Sequence, residues 1–97
     1  LHATVLQARS AYAAAIQELT TCGEEAEGQG WSALAAFAYQ HRGKVFYDSG
    51  DFVNARADFK RALFLRQEAG APEEQLESTL AAIDAAERRR SGAQVAS

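Results

Sequence analysis

Apolar and polar residues alternate along the chain with the period of an α-helix. In the first segment, apolar positions recur at steps of three and four residues, which places them on one helical face. The same period returns in three later segments, whereas no alternation typical of a β-strand lasts four residues. The sequence therefore predicts an all-α chain with helices over residues 3–22, 31–49, 52–69 and 73–90, and a loose tail over 91–97.

Glycine and aspartate mark the expected ends of these helices. Gly23, Gly50 and Gly70 are expected to stop the first three helices, and Asp51 is a typical N-cap for the third. Residues 24–30 are acidic and rich in glycine. They are expected to form either a loop or the first turn of the second helix, where glutamates would face the favourable end of the helix dipole.

An internal repeat relates the first helix to the third. A shift of 47 positions places alanine on alanine and aromatic on aromatic. A face that alternates small and aromatic residues lets a neighbouring helix approach at the alanine and contact the ring. Gly43 is expected to mark another close approach, because a glycine inside a helix costs about 1 kcal/mol relative to alanine. The main matched pairs are Val5 with Phe52, Ala8 with Ala55, Tyr12 with Phe59, Ala15 with Ala62, and Gly23 with Gly70.

The spacing over residues 36–69 resembles one complete tetratricopeptide repeat, a 34-residue helix pair. Residues 3–22 and 73–90 match flanking, incomplete repeats by position only. The resemblance implies about four helices, stacked as antiparallel hairpins in a fragment of a right-handed superhelix. Arg42 stands where the family usually has leucine, which is expected to weaken packing, and Gln67 replaces the closing proline, which allows the third helix to run on. The matching positions are Tyr39, Gly43, Phe46, Gly50, Phe52, Ala55, Phe59 and Ala62.

The resemblance also implies a function. In this family, the first helix of each pair lines a groove that binds peptides, so the chain is expected to be a non-catalytic module that binds a peptide or helix of a partner protein. Lys44 would pair with a carboxylate, Gln40 would bond a peptide backbone, and Phe37 and Tyr47 would make apolar contacts. In the alternative, Phe37 and Tyr47 pack on the first helix and Lys44 is merely solvated.

A second function remains open at this point. One repeat with two flanking helices is small for a repeat array, because each helix pair alone buries only one face. The chain is therefore also expected, as an alternative, to be a structural domain that forms a homo-oligomer or part of a longer array.

Composition and net charge limit the classes of partner that the chain is expected to bind. The chain has 97 residues, the size of one domain, and its net charge of −3 does not favour a nucleic-acid partner. It lacks a run of 18 apolar residues, so no membrane contact is expected. Cys22 is the single cysteine, which fits a reducing, cytoplasmic compartment. The absence of methionine suggests a piece excised from a longer protein.

No pattern typical of catalysis is present, so neither a cofactor nor an enzymatic activity is expected. His2 and His41 lack companions at metal-ligand spacing, so no metal site is expected. Trp31 is expected to fill the gap between the first two helices or, if exposed, to contact a partner. Residues 88–90 are three arginines, expected to stabilise the end of the fourth helix, with Asp84 pairing with Arg88. The alternative for these arginines is phosphate contact.

Overall fold

The protein folds into four α-helices stacked in chain order. The structure, a computed structural model, describes the backbone of residues 2–96 and the side chains of residues 7–92. Helix α1 spans His2–Gly28, α2 Ser32–Asp48, α3 Phe52–Glu68 and α4 Glu73–Ala96. The main helix contacts join α1 to α2, α2 to α3 and α3 to α4. No strand occurs within residues 2–96, and the all-α class is confirmed.

Neighbouring helices run antiparallel. Arg42 of α2 contacts Asp58 of α3, whereas Tyr47, further along α2, contacts Phe52 at the beginning of α3. The stack measures 43 × 29 × 18 Å. The longest dimension is close to that of α1 alone, since a helix of 27 residues is about 40 Å long. The fold is therefore a flat row of rods rather than a closed bundle.

Three turns of the same type connect the helices, one every 20 residues. Each turn has a glycine with positive φ, namely Gly30, Gly50 and Gly70. In each turn the residue after the glycine donates its N–H to the carbonyl five residues earlier, as in a Schellman motif. These bonds are Trp31 to Ala26 (2.8 Å), Asp51 to Phe46 (2.8 Å) and Ala71 to Arg66 (2.9 Å). The α2–α3 pair thus spans 40 residues from turn to turn, longer than the 34-residue unit.

The 20-residue spacing corrects the expected end of α1. Gly23 does not stop the helix, and residues 24–28 form its last turn instead of a loop or the beginning of α2. Gly23 is buried against Tyr39, whose Cζ would lie 2.8 Å from an added Cβ. Gly23 is therefore a packing residue, and its match with Gly70 in the 47-residue shift is wrong. Ala8 is exposed, unlike its partner Ala55, while the side chains of Val5 and His2 lie outside the described residues.

The fourth helix also runs further than expected. Position 90, where the next turn would fall, holds Arg90 instead of a glycine, and α4 continues to Ala96. The expected tail over 91–97 is therefore helical as far as the described residues extend. The three arginines lie within the helix rather than at its end, so the dipole explanation does not apply. The expected pair of Asp84 with Arg88 is confirmed at 3.0 Å.

The core has two clusters, one that joins α1, α2 and α3 and one that joins α2, α3 and α4. In the second cluster, Phe59 is 2% exposed and lies against Gly43, where an added Cβ would be 2.6 Å from the ring. The predicted close approach of α2 and α3 at Gly43 is confirmed. The first cluster consists of Ala26, Ala35, Ala36, Tyr39, Ala62 and Leu65, and the second of Ala55, Phe59, Ile83 and Ala86, with Phe46 and Tyr47 packed against it.

Arg42 strengthens the α2 packing that it was expected to weaken. Its guanidinium makes two bonds to Asp58, Nε to Oδ2 at 2.7 Å and Nη2 to Oδ1 at 2.6 Å. Nη1 donates to Thr20 Oγ1 at 2.9 Å, and the cation lies 4.9 Å from the centre of the Tyr39 ring. One side chain thus joins α1, α2 and α3. The gap-filling role of Trp31 is also wrong, because that side chain is 56% exposed.

Candidate binding groove between α2 and α4

A shallow groove runs between α2 and α4, with α3 beneath it. Residues at steps of three and four on α2 share the face that borders this groove. They are the four expected binding residues, Phe37, Gln40, Lys44 and Tyr47. On the opposite wall, α4 places Thr79, Ala82 and Ala85. The structure distributes these side chains over three distinct environments along the groove.

The first environment is a largely apolar cavity of about 310 Å³. Lys44 and Tyr47 line it together. Lys44 is exposed at the rim, whereas Tyr47 is half-buried and meets the Phe52 ring edge-on at 5.2 Å. Tyr47 thus contacts α3, and its alternative role as a packing residue on α1 is not what the structure shows. The remaining lining residues are Asp48, Phe59, Ala82 and Ala85.

The second environment is the centre of the groove, which is filled. Gln40 is buried, and its Oε1 lies 3.2 Å from the hydroxyl of the fully buried Thr79. That hydroxyl accepts a hydrogen bond from Arg66 and lies 3.1 Å from the carbonyl of Gln75. Gln40 is therefore part of a polar contact between α2 and α4 instead of an open wall residue, because Thr79 engages its carbonyl oxygen.

The third environment is a cavity of about 360 Å³ at the other end of the groove, by the α3–α4 turn. Phe37 is 53% exposed there and packs on His41 of its own helix, with ring centres 4.2 Å apart. Arg66, Pro72 and Gln75 also line this cavity. Phe37 is thus separated from Lys44 and Tyr47 by the Gln40–Thr79 contact, and a single small ligand would not touch all four predicted residues.

The groove contains two cationic side chains, Lys44 and Arg66, and the carboxylate of Asp48. Burial lowers the pKa of His41 below its usual value of 6.5, and the nearby charges of Lys44 and Arg66 lower it further. This lowering favours the neutral form of His41 at neutral pH. Burial also lowers the pKa of Arg66, while the pKa of Arg42 is raised by its hydrogen bond to Asp58. The groove therefore carries two cations, Lys44 and Arg66, one in each cavity.

Sequence reasoning missed Arg66 and Thr79. Arg66 continues the buried stripe of α3, since Ala55, Phe59, Ala62 and Arg66 follow at steps of four, three and four. A charge at such a position was the available signal that the side chain faces the interior. Thr79 similarly interrupts the apolar face of α4 and, like Ala86, is fully buried.

Comparisons with known proteins identify no relative: no protein-family model, curated protein or solved structure matches the chain. None of the four helices, over the part of the chain described, is long and apolar enough to cross a membrane. The same described part contains no cluster of three or more His, Cys, Asp or Glu side chains suited to a metal ion.

Proposed function

We propose that the chain is a non-catalytic protein-interaction module whose groove between α2 and α4 binds a peptide segment of a partner protein. The observation that carries this proposal is the open apolar cavity with Lys44 at its rim and Tyr47 in its wall. The resemblance to the tetratricopeptide repeat, with its right-handed superhelix, supports the same proposal. The single cysteine is consistent with a reducing, cytoplasmic setting.

In this proposal, an apolar side chain of the partner enters the cavity and contacts Phe59, Tyr47 and Ala85. Burying a side chain of leucine size contributes about 1.5–3 kcal/mol. Lys44, which is exposed, pairs with a carboxylate of the same segment and fixes its direction. Helices that are already packed form the walls, so little ordering opposes binding. The groove offers modest affinity and selects for an acidic residue next to an apolar one.

Two variants and one control test this binding mode. The wild-type chain is immobilised, and proteins captured from its source cell are identified by mass spectrometry. Ala85→Phe fills the cavity and is expected to abolish capture, whereas Lys44→Ala weakens it. Lys60→Ala is the matched control, because Lys60 is the only other lysine and lies on the exposed face of α3. Circular dichroism should show unchanged helicity for all three, and capture unaffected by Ala85→Phe and Lys44→Ala would refute the proposal.

Self-association is the second candidate function. The observation in its favour is the apolar side chains exposed away from the groove, Val53 and Phe64 of α3, each 59% exposed. Large exposed apolar groups of this kind mark protein contacts when they cluster. Light scattering at high concentration should then detect a dimer or larger species that Phe64→Ser disperses. A strict monomer across the concentration range argues against this function.

A further inference from the structure

We infer that Arg66 is the anchor of a carboxylate-binding site at the α3–α4 end of the groove. The site takes a carboxylate attached to an apolar group. This inference rests on the proposed function, because the site lies in the same groove, and it adds the chemistry of the ligand. It follows from the contacts of Arg66, the shape of its cavity and the pairing of the other half-buried arginines.

Arg66 is half-buried but lacks an anionic partner. Its Nη1 donates to the carbonyl of Gln75 at 3.0 Å and to the hydroxyl of Thr79. No ion pair among the described side chains includes Arg66. The other half-buried arginines of residues 7–92, Arg42 and Arg56, are each paired with a carboxylate. A cation that is partly desolvated without a counter-charge costs free energy, which an incoming carboxylate would recover.

The remaining guanidinium nitrogens of Arg66 are accessible. Every buried side-chain nitrogen or oxygen in the described part of the chain has a hydrogen-bond partner, and the two hydrogen bonds of Arg66 use Nη1. Nε and Nη2 therefore reach solvent, at a cavity of about 360 Å³ that Arg66 lines. Two adjacent N–H groups of a guanidinium match the two oxygens of a carboxylate.

The walls of the cavity determine what accompanies the carboxylate. Phe37, Pro72 and Ala71 supply apolar surface beside Arg66. An apolar side chain next to the carboxylate would cover Phe37, which is 53% exposed. The ligand class is thus a C-terminal apolar residue of a protein chain or an aspartate or glutamate beside an apolar residue.

The position of the site fits a segment that also reaches Lys44. Phe37 and Tyr47 lie ten residues apart on α2, or about 15 Å along the helix axis. An extended segment of about five residues covers that distance. The buried Gln40–Thr79 contact forms the floor between the two cavities.

Three short probes test the site by NMR titration of the wild-type chain. The first is N-acetyl-Leu-Leu with a free terminal carboxylate, the second is the same dipeptide amidated, and the third is N-acetyl-Asp-Leu amide, which carries only a side-chain carboxylate. The readouts are the Arg66 Nε–Hε resonance and the backbone amides of Ala71 and Gln75. We expect saturable shifts with the carboxylate probes and at least about tenfold weaker binding of the neutral one. The tighter of the two carboxylate probes identifies the source of the carboxylate.

Variants separate this site from the Lys44 cavity. Arg66→Gln should weaken the carboxylate probes about tenfold, Arg66→Lys less, and Arg56→Gln not at all, with helicity checked by circular dichroism. Equal binding of the free and amidated dipeptides to the wild type overturns the inference even if Arg66→Gln fails to fold. Shifts confined to Ala82 and Ala85 also overturn it and leave the proposed function standing, whereas no shift in either cavity counts against both.

Discussion

Two successive helix junctions, α1–α2 and α2–α3, repeat one packing arrangement, but the arginines beside them are paired differently. Between α1 and α2, the Tyr39 ring lies against Gly23, and between α2 and α3, the Phe59 ring lies against Gly43. Both the rings and the glycines are 20 residues apart, the same interval as the turns. The apolar part of the junction is therefore the same unit shifted by one helix.

The polar contacts of the two arginines beside these junctions differ. Arg42 and Arg66 each donate through Nη1 to a threonine hydroxyl, of Thr20 and Thr79 respectively. Asp58 of α3 pairs with Arg42 through two hydrogen bonds, while no described carboxylate pairs with Arg66. The Arg42 contact, which joins α1, α2 and α3, is therefore structural, with its charges paired. The Arg66 contact between α3 and α4 leaves a cation beside a cavity without a counter-charge, which a ligand carboxylate would supply.

The largest effect is expected when the repeated ring is removed. Phe59→Ala should lower the free energy of unfolding by about 3–5 kcal/mol, since Phe59 is 2% exposed and packs, from α3, with residues of α2 and α4. Urea unfolding monitored by circular dichroism measures it. Phe64→Ala on the same helix is the control, with an expected loss below about 1 kcal/mol because its ring is 59% exposed. Similar losses for the two variants would mean that Phe59 is not a core residue.

The two arginines should differ strongly in their contribution to stability. Arg42→Gln leaves the 7%-exposed Asp58 carboxylate without its partner and should cost about 3 kcal/mol. Arg66→Gln strands no carboxylate and should cost about 1 kcal/mol for its lost hydrogen bonds. Urea unfolding at neutral pH measures both losses. Equal costs would mean that the pairing of Arg42 with Asp58 does not distinguish it energetically from the unpaired Arg66.

A smaller effect is expected at the glycines. Gly43→Ala should destabilise by about 1–2 kcal/mol, because overpacking against the Phe59 ring outweighs the gain in helix propensity. Gly23→Ala should behave alike against Tyr39. Gly92→Ala is the control, since an added Cβ there meets nothing within 4 Å, and it should stabilise by up to about 1 kcal/mol. Thermal melting provides the comparison, and a stabilising Gly43→Ala would show that the two helices separate easily there.

The smallest effects on stability are expected on acidification, at a different pH for Glu27 than for His41. Hydrogen bonds from Tyr39 and Arg61 hold the pKa of Glu27 below its usual value of 4.5. That contribution is present above pH 4.5 and is lost as the pH falls through the lower folded value. Burial and then the charges of Lys44 and Arg66 lower the pKa of His41, so protonation favours the unfolded chain as the pH falls below 6.5.

Urea unfolding as a function of pH separates the two groups. Glu27→Gln should remove the loss that begins below pH 4.5, and His41→Gln the loss that begins below pH 6.5. A profile unchanged by both substitutions would show that neither group is coupled to folding.

The sequence by itself determined the helical class and the faces of the helices. Steps of three and four residues predicted Phe59 as a core ring, and the cost of a glycine inside a helix identified Gly43 as a contact point, whereas Lys44 and Tyr47 were placed on one face by the resemblance to the tetratricopeptide repeat. Such predictions succeed because the rise and turn of an α-helix are fixed by the backbone, so spacing along the chain converts directly into direction.

Only the tertiary structure decided which partner each of these faces meets. From the sequence alone, Gly23 is expected to stop α1, whereas in the structure Tyr39, 16 residues away, packs against it. From the sequence alone, Arg42 is a defect in the repeat and Arg66 is an exposed charge. In the structure, Asp58 of α3 pairs with Arg42, and Arg66 donates a hydrogen bond to Thr79 of α4. A glycine or an arginine has the same local preferences in either role, and the role is set by contacts between helices, which local spacing does not encode.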